Sequence, residues 1–81
     1  MEAKKLEIAK QIIKENIRYA EDGIFNSRNI CGDPMDRIYK KDGLAIDICY
    51  KYRYFEVFGL SGDEFDELKS FYGKITGNPY V

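Results

Sequence analysis

Residues 37–58 read RIYKKDGLAIDICYKYRYFEVF, and this stretch decides the fold. Apolar side chains alternate with polar ones at the two-residue period of a half-buried strand. Lys41-Asp42-Gly43 suits a three-residue hairpin loop with Gly43 at the position that needs positive φ. That loop pairs Lys40 with Leu44, Ile38 with Ile46 and Arg37 with Asp47. A second turn at Lys51-Tyr52 pairs Tyr50 with Arg53, Ile48 with Phe55 and Ile46 with Val57. Both registers sort the side chains alike. Ile38, Leu44, Ile46, Ile48, Phe55 and Val57 collect on a core face; Arg37, Tyr39, Ala45, Asp47, Cys49, Tyr54, Glu56 and Phe58 collect on the other. A slip of one residue would scramble that separation, so the pattern predicts a three-stranded antiparallel meander over 35–59.

Helices are expected on either side. Over 3–22, Leu6, Ala9, Ile13, Ile17 and Ala20 recur at three- and four-residue steps, with Ile8, Ile12 and Tyr19 on an adjacent stripe. Gly23 is expected to stop this helix as a left-handed C-terminal residue. Residues 24–34 carry loop chemistry, with a short extended piece at Ile24-Phe25. The second helix, 61–75, starts at a capping box, Ser61 with Glu64, flanked by Leu60 and Phe65 as a hydrophobic staple. Its apolar stripe is Phe65, Leu68, Tyr72 and Ile75, and Gly77-Asn78-Pro79 ends it. The fold class is therefore α+β: an N-terminal helix, a three-stranded antiparallel meander and a C-terminal helix, in one domain spanning 1–81. Both helices are expected on the face of Ile38, Ile46, Ile48, Phe55 and Val57, leaving the second face partly open. A chain of 81 residues buries only about 60% of its unfolded surface.

Composition narrows the function. Thirteen basic and 14 acidic residues leave a net charge of −1, so direct nucleic-acid binding is not expected. The carboxylates of Asp63, Glu64, Asp66 and Glu67 complement the positive end of a helix dipole rather than mimic DNA. No apolar run approaches the ~20 residues of a membrane span and no signal-peptide core is present, so the expected location is the cytoplasm. The two cysteines, Cys31 and Cys49, are read as reduced thiols; without histidine they cannot build an ordinary zinc site. No metal or cofactor is expected. The absence of histidine also removes Ser-His-Asp and Cys-His catalysis, because Arg28 or Arg37 cannot accept the proton of Cys31. The one enzyme-like grouping is the loop with Cys31, Asp33 and Asp36. No catalytic residue is assigned and the chain is not expected to be an enzyme.

What remains is surface. Tyr50, Tyr52, Tyr54, Phe55 and Phe58 fall within one hairpin, and only Phe55 belongs to the core face. Arg37, Asp47 and Glu56 line up across the strands, so Arg37 is expected to be neutralised twice. Tyrosine and arginine bury much surface and still make directed hydrogen bonds, which enriches them at binding hot spots. The expected partner-binding set is Arg37, Tyr39, Asp47, Tyr54, Glu56 and Phe58. The stripe of Ile8, Ile12 and Tyr19 is the candidate homodimer face.

The phrases GDPM at 32–35, DICY at 47–50 and YFEVFGL at 54–60 resemble a group of small proteins of Gram-positive bacteria and their phages or mobile elements, a group with no assigned chemistry. The likeness covers residues 32–72. By analogy with other small phage proteins, it implies a non-catalytic protein-binding module: an inhibitor or adaptor acting on a host protein complex, with anti-CRISPR-type inhibition as its most concrete form. The alternative is a self-associating small structural protein.

Overall fold

The structure, a computed structural model, describes residues 2–26 and 32–77. Helix α1 covers Glu2–Asn16, a single 3-10 turn covers Ile17–Tyr19, and strand β1 covers Gly23–Asn26. Strands β2 (Asp36–Lys41), β3 (Leu44–Cys49) and β4 (Tyr54–Phe58) follow, and α2 covers Gly62–Thr76. The architecture is α+β with a helix at each end, as the sequence indicates. The sheet, however, is not a three-stranded antiparallel meander. Among the described residues it has four strands in the order β1-β4-β3-β2 and is mixed. The piece read as mainly loop, Gly23–Asn26, lies parallel to β4, with Gly23 opposite Tyr54 and Asn26 opposite Val57.

The first hairpin corrects the expected turn. Asp42 (φ 53°) and Gly43 (φ 84°) both take positive φ, the signature of a two-residue type I′ turn. Lys41 consequently pairs with Leu44, and Tyr39 with Ile46. Continued unchanged, this register would set Arg37 against Ile48. A bulge between Arg37 and Tyr39 absorbs one residue and returns Arg37 to Asp47. Ile38 and Tyr39 both end up half-buried against the core. Tyr39 is thus on the helix side of the sheet, not on the second face.

The second hairpin keeps its expected register: Ile46 opposes Val57 and Ile48 opposes Phe55. Its loop is longer than two residues. It runs from Tyr50 to Arg53, whose φ of 61° and N–H···O bond to Cys49 (2.7 Å) close the turn.

α1 ends six residues earlier than the periodicity suggests. Asn16 Nδ2 donates to the Ile12 carbonyl at 2.8 Å, and the Ala20 N–H donates to the Ile17 carbonyl at 3.0 Å. Ala20 is drawn into the core, and Gly23 opens β1 instead of capping a helix. A helix continued to residue 22 could not deliver the chain to the sheet edge. One core unites Leu6, Ala9 and Ile13 of α1 with Ile46, Ile48, Phe55 and Val57 of the sheet and Phe65, Leu68 and Tyr72 of α2. Lys10 faces α2 and stands 3.1 Å from Glu67. The capping box forms as expected: Glu64 N–H donates to Ser61 Oγ (3.2 Å) and Ser61 N–H donates to Glu64 Oε1 (2.9 Å).

Candidate functional site

Cross-strand pairing builds a four-residue row on the second face: Phe25 on β1, Glu56 on β4, Asp47 on β3 and Arg37 on β2. Arg37 grips Asp47 with two bonds, Nε to Oδ1 at 2.8 Å and Nη2 to Oδ2 at 3.3 Å. Its guanidinium also lies 5.8 Å from the centroid of the Phe58 ring. It does not reach Glu56, so the expected double neutralisation is not made. Glu56 is 2% exposed, and its Oε1 has no hydrogen-bond partner among the described residues. Burial pushes its carboxyl above the ordinary value, and the negative charges of Asp47 and Asp33 push it further the same way.

Beside this row, Tyr54 donates its hydroxyl proton to Asp33 Oδ2 at 2.6 Å. Burial, followed by that hydrogen bond, raises the phenol well above its usual range. Phe25 meets the Tyr54 ring edge-on at 5.2 Å. Cys49 is buried and free, and its sulfur accepts from the Tyr52 N–H at 3.4 Å. The second face is consequently less open than the alternation suggests. β3 is buried along its whole length on both faces.

Of the expected partner-binding set, Arg37, Asp47, Tyr54, Glu56 and Phe58 share this face, while Tyr39 lies across the sheet beneath α1. Asp47 and Glu56 are buried and cannot meet a partner directly. Ile8 and Ile12 are half-buried against the core. Tyr19, in the 3-10 turn beyond α1, packs edge-on against Tyr50 at 5.8 Å. The three residues therefore do not form one exposed stripe. Cys31 lies outside the described residues.

The exposed aromatics extend beyond this row. Phe25 is 52% exposed, and Tyr19, Tyr50 and Tyr52 are 39%, 48% and 50% exposed. The three tyrosines come from the 3-10 turn and from the β3–β4 loop. Arg18 lies 4.9 Å from the centroid of Tyr19, and Lys51 lies 5.2 Å from that of Tyr52. Arg53 is already engaged, 3.6 Å from Glu21 and 3.7 Å from Asp22. Tyr19 was legible as a candidate; its meeting with Tyr50 depends on where α1 stops, which the periodicity did not show.

Glu56 yields a direct expectation. A carboxyl whose value rises on folding stabilises the protein below the ordinary carboxylate range, and that stability is lost as pH rises through the folded-state value. Glu56→Gln cannot ionise and so escapes the loss. The variant should be more stable than the parent at pH 7 by about 1 kcal/mol, with the difference closing in acid. Thermal melts across pH check this; parallel profiles for the two proteins would refute it.

Among the described residues, no group of three or more Asp, Glu, Cys or His is arranged to hold a metal ion. No helix among them is long and apolar enough to cross a membrane. Two shallow cavities of about 240 and 170 Å³ lie beside β1 and beside the β2–β3 turn; both are smaller than the ~300 Å³ at which ordinary small-molecule sites begin. The chain matches no protein family, no curated protein and no solved structure.

Proposed function

We propose that this chain is a non-catalytic protein-binding module that acts in stoichiometric complex with another protein, as an inhibitor or adaptor. The observation that carries the proposal is the tyrosine end of the molecule. Tyr19, Tyr50 and Tyr52 converge from two distant segments, stay 39–50% exposed, and carry Arg18 and Lys51 against their outer rings. A tyrosine presents a large amphipathic surface and loses little conformational entropy when fixed, and a cation held against its ring is already partly ordered. Internal packing does not require this exposure, because the core is closed without these rings. The host protein complex implied by the sequence resemblance is the narrower form of the same proposal.

The test is a capture from Gram-positive lysate with tagged parent chain, the Tyr50→Ala/Tyr52→Ala double variant and Arg37→Ala run side by side. A stoichiometric partner should be held by the parent and by Arg37→Ala, and lost by the double variant, whose melting temperature should change little because both rings are half-exposed. A blank from folded parent chain, or equal capture by the double variant, would refute the proposal.

A further inference from the structure

The sheet has two edges and treats them differently. The β2 edge, DRIYKK, carries four charged residues among six and a bulge, the usual defences of an edge against adding another strand. The β1 edge, GIFN, carries no charge and no bulge. Among the described residues, no strand pairs with its outer side.

The backbone directions at this edge follow from one bond. The Asp22 N–H donates to the Arg53 carbonyl at 2.9 Å, which turns Asp22 toward β4. In a parallel pair alternate residues point the same way, so Ile24 and Asn26 also address β4, and Gly23 and Phe25 address the outside. The Gly23 N–H, on that outer side, is taken by the Tyr72 hydroxyl at 3.1 Å. The Gly23 carbonyl and both backbone groups of Phe25 are left facing out. Alongside them runs a groove of about 240 Å³ between residues 22–26 and α2, floored by Ile24 and Phe65 and rimmed by Lys69. Lys69 has no ion-pair partner among the described residues, whereas the groove's other charge, Asp22, is paired with Arg53 at 3.7 Å.

We infer that the β1 edge is a strand-addition site that accepts an extended peptide segment of another protein, with an apolar side chain in the groove and a carboxylate on Lys69. Three features define the occupant. The outward-facing groups of Gly23 and Phe25 call for an extended backbone. The concavity between β1 and α2 calls for an inserted side chain, since a strand places alternate residues on one face. The Lys69 ammonium, without an ion-pair partner among the described residues, calls for negative charge. A second copy of this chain fits less well, because its β1 strand, GIFN, carries no carboxylate to set on Lys69. The site is separate from the tyrosine end, so either can fail alone.

The experiment selects a phage-displayed library of random dodecapeptides on the immobilised full chain. Enriched sequences are then made as fluorescein-labelled peptides and titrated by anisotropy. Phe25→Ala keeps the outward N–H and Phe25→Pro removes it, a change that an edge strand tolerates. Affinity should fall about tenfold from Phe25→Ala to Phe25→Pro, and about tenfold in Lys69→Glu for the peptides that carry an acidic residue. Absence of enrichment, or equal affinity for the two Phe25 variants, would overturn the inference. If Phe25→Pro does not fold, amide exchange in the parent chain decides: saturating peptide should slow the Phe25 N–H about tenfold, and an unchanged rate overturns the inference. Slowing that depends on chain concentration without peptide would identify a second copy as the occupant and overturn it equally.

Discussion

Gly59→Ala should leave the chain largely unfolded at 37 °C. Gly59 sits at φ +100°, just past β4, where the backbone passes against the β2–β3 turn. A Cβ built there would overlap the Gly43 carbonyl oxygen and come within 2.9 Å of the Gly43 carbonyl carbon and 3.2 Å of Leu44 Cα. All three are backbone atoms, so no side-chain rotation relieves the contact. Moving them would break the turn that sets the β2–β3 register. The cost should exceed about 4 kcal/mol, which only a few mechanisms reach. A domain of this size holds roughly 4–12 kcal/mol in total. Gly62→Ala is the control: its Cβ meets nothing within 4 Å, and alanine is the better helix former. Far-ultraviolet circular dichroism and thermal melts distinguish the two. A Gly59→Ala chain that melts close to the parent would show that the turn can move away from the segment after β4.

Tyr72→Phe should cost about 3 kcal/mol and lower the melting temperature by about 15 °C. The Tyr72 hydroxyl is fully buried and serves two backbone groups. It donates to the Ala20 carbonyl at 2.6 Å and accepts from the Gly23 N–H at 3.1 Å. Both belong to the segment that carries the chain from the 3-10 turn into β1, and α2 supplies the partner 49 and 52 residues later. Removing the oxygen leaves a buried donor and a buried acceptor unpaired, and that penalty exceeds the value of an average hydrogen bond. Burial pushes the phenol up to about 12, so the hydroxyl keeps its proton at neutral pH. The ring itself should stay in place, since it packs edge-on against Phe55 at 6.0 Å. Denaturant titration of the two proteins gives the difference directly. A loss below about 0.5 kcal/mol would mean that the segment finds other partners and that the hydroxyl does not fix β1.

These two positions show what the residues reveal alone and what they do not. The β3–β4 register was legible because Ile46, Ile48, Phe55 and Val57 can share a face in only one way. The start of α2 was legible because a capping box is closed within four residues. The extent of α1 was not, because the apolar spacing continues through Ile17 and Ala20 while the backbone has already left the helix at Asn16. β1 was missed as a strand because four residues show no useful alternation and their partner lies 31 positions further on, Tyr54 for Gly23. Tyr39 was put on the wrong face because a two-residue turn and a bulge shift the register in opposite directions, and only their sum was visible at Arg37. Within the candidate site, the Arg37–Asp47 pair could be read from register. That Glu56 would be sealed in without a cation could not, because it depends on which carboxylate one guanidinium chooses.

The parallel pairing of β1 with β4 also bears on how the chain is made. A ribosome releases β1 before it has synthesised the strand that β1 lies against. Until Val57 has emerged, Gly23–Asn26 has no complete ladder to join, and the buried face of α1, Leu6, Ala9 and Ile13, has no complete sheet to cover. Between the synthesis of β1 and that of β4 the nascent chain carries this amphipathic segment unprotected. The sheet can close only when the last of its described strands reaches back to the first.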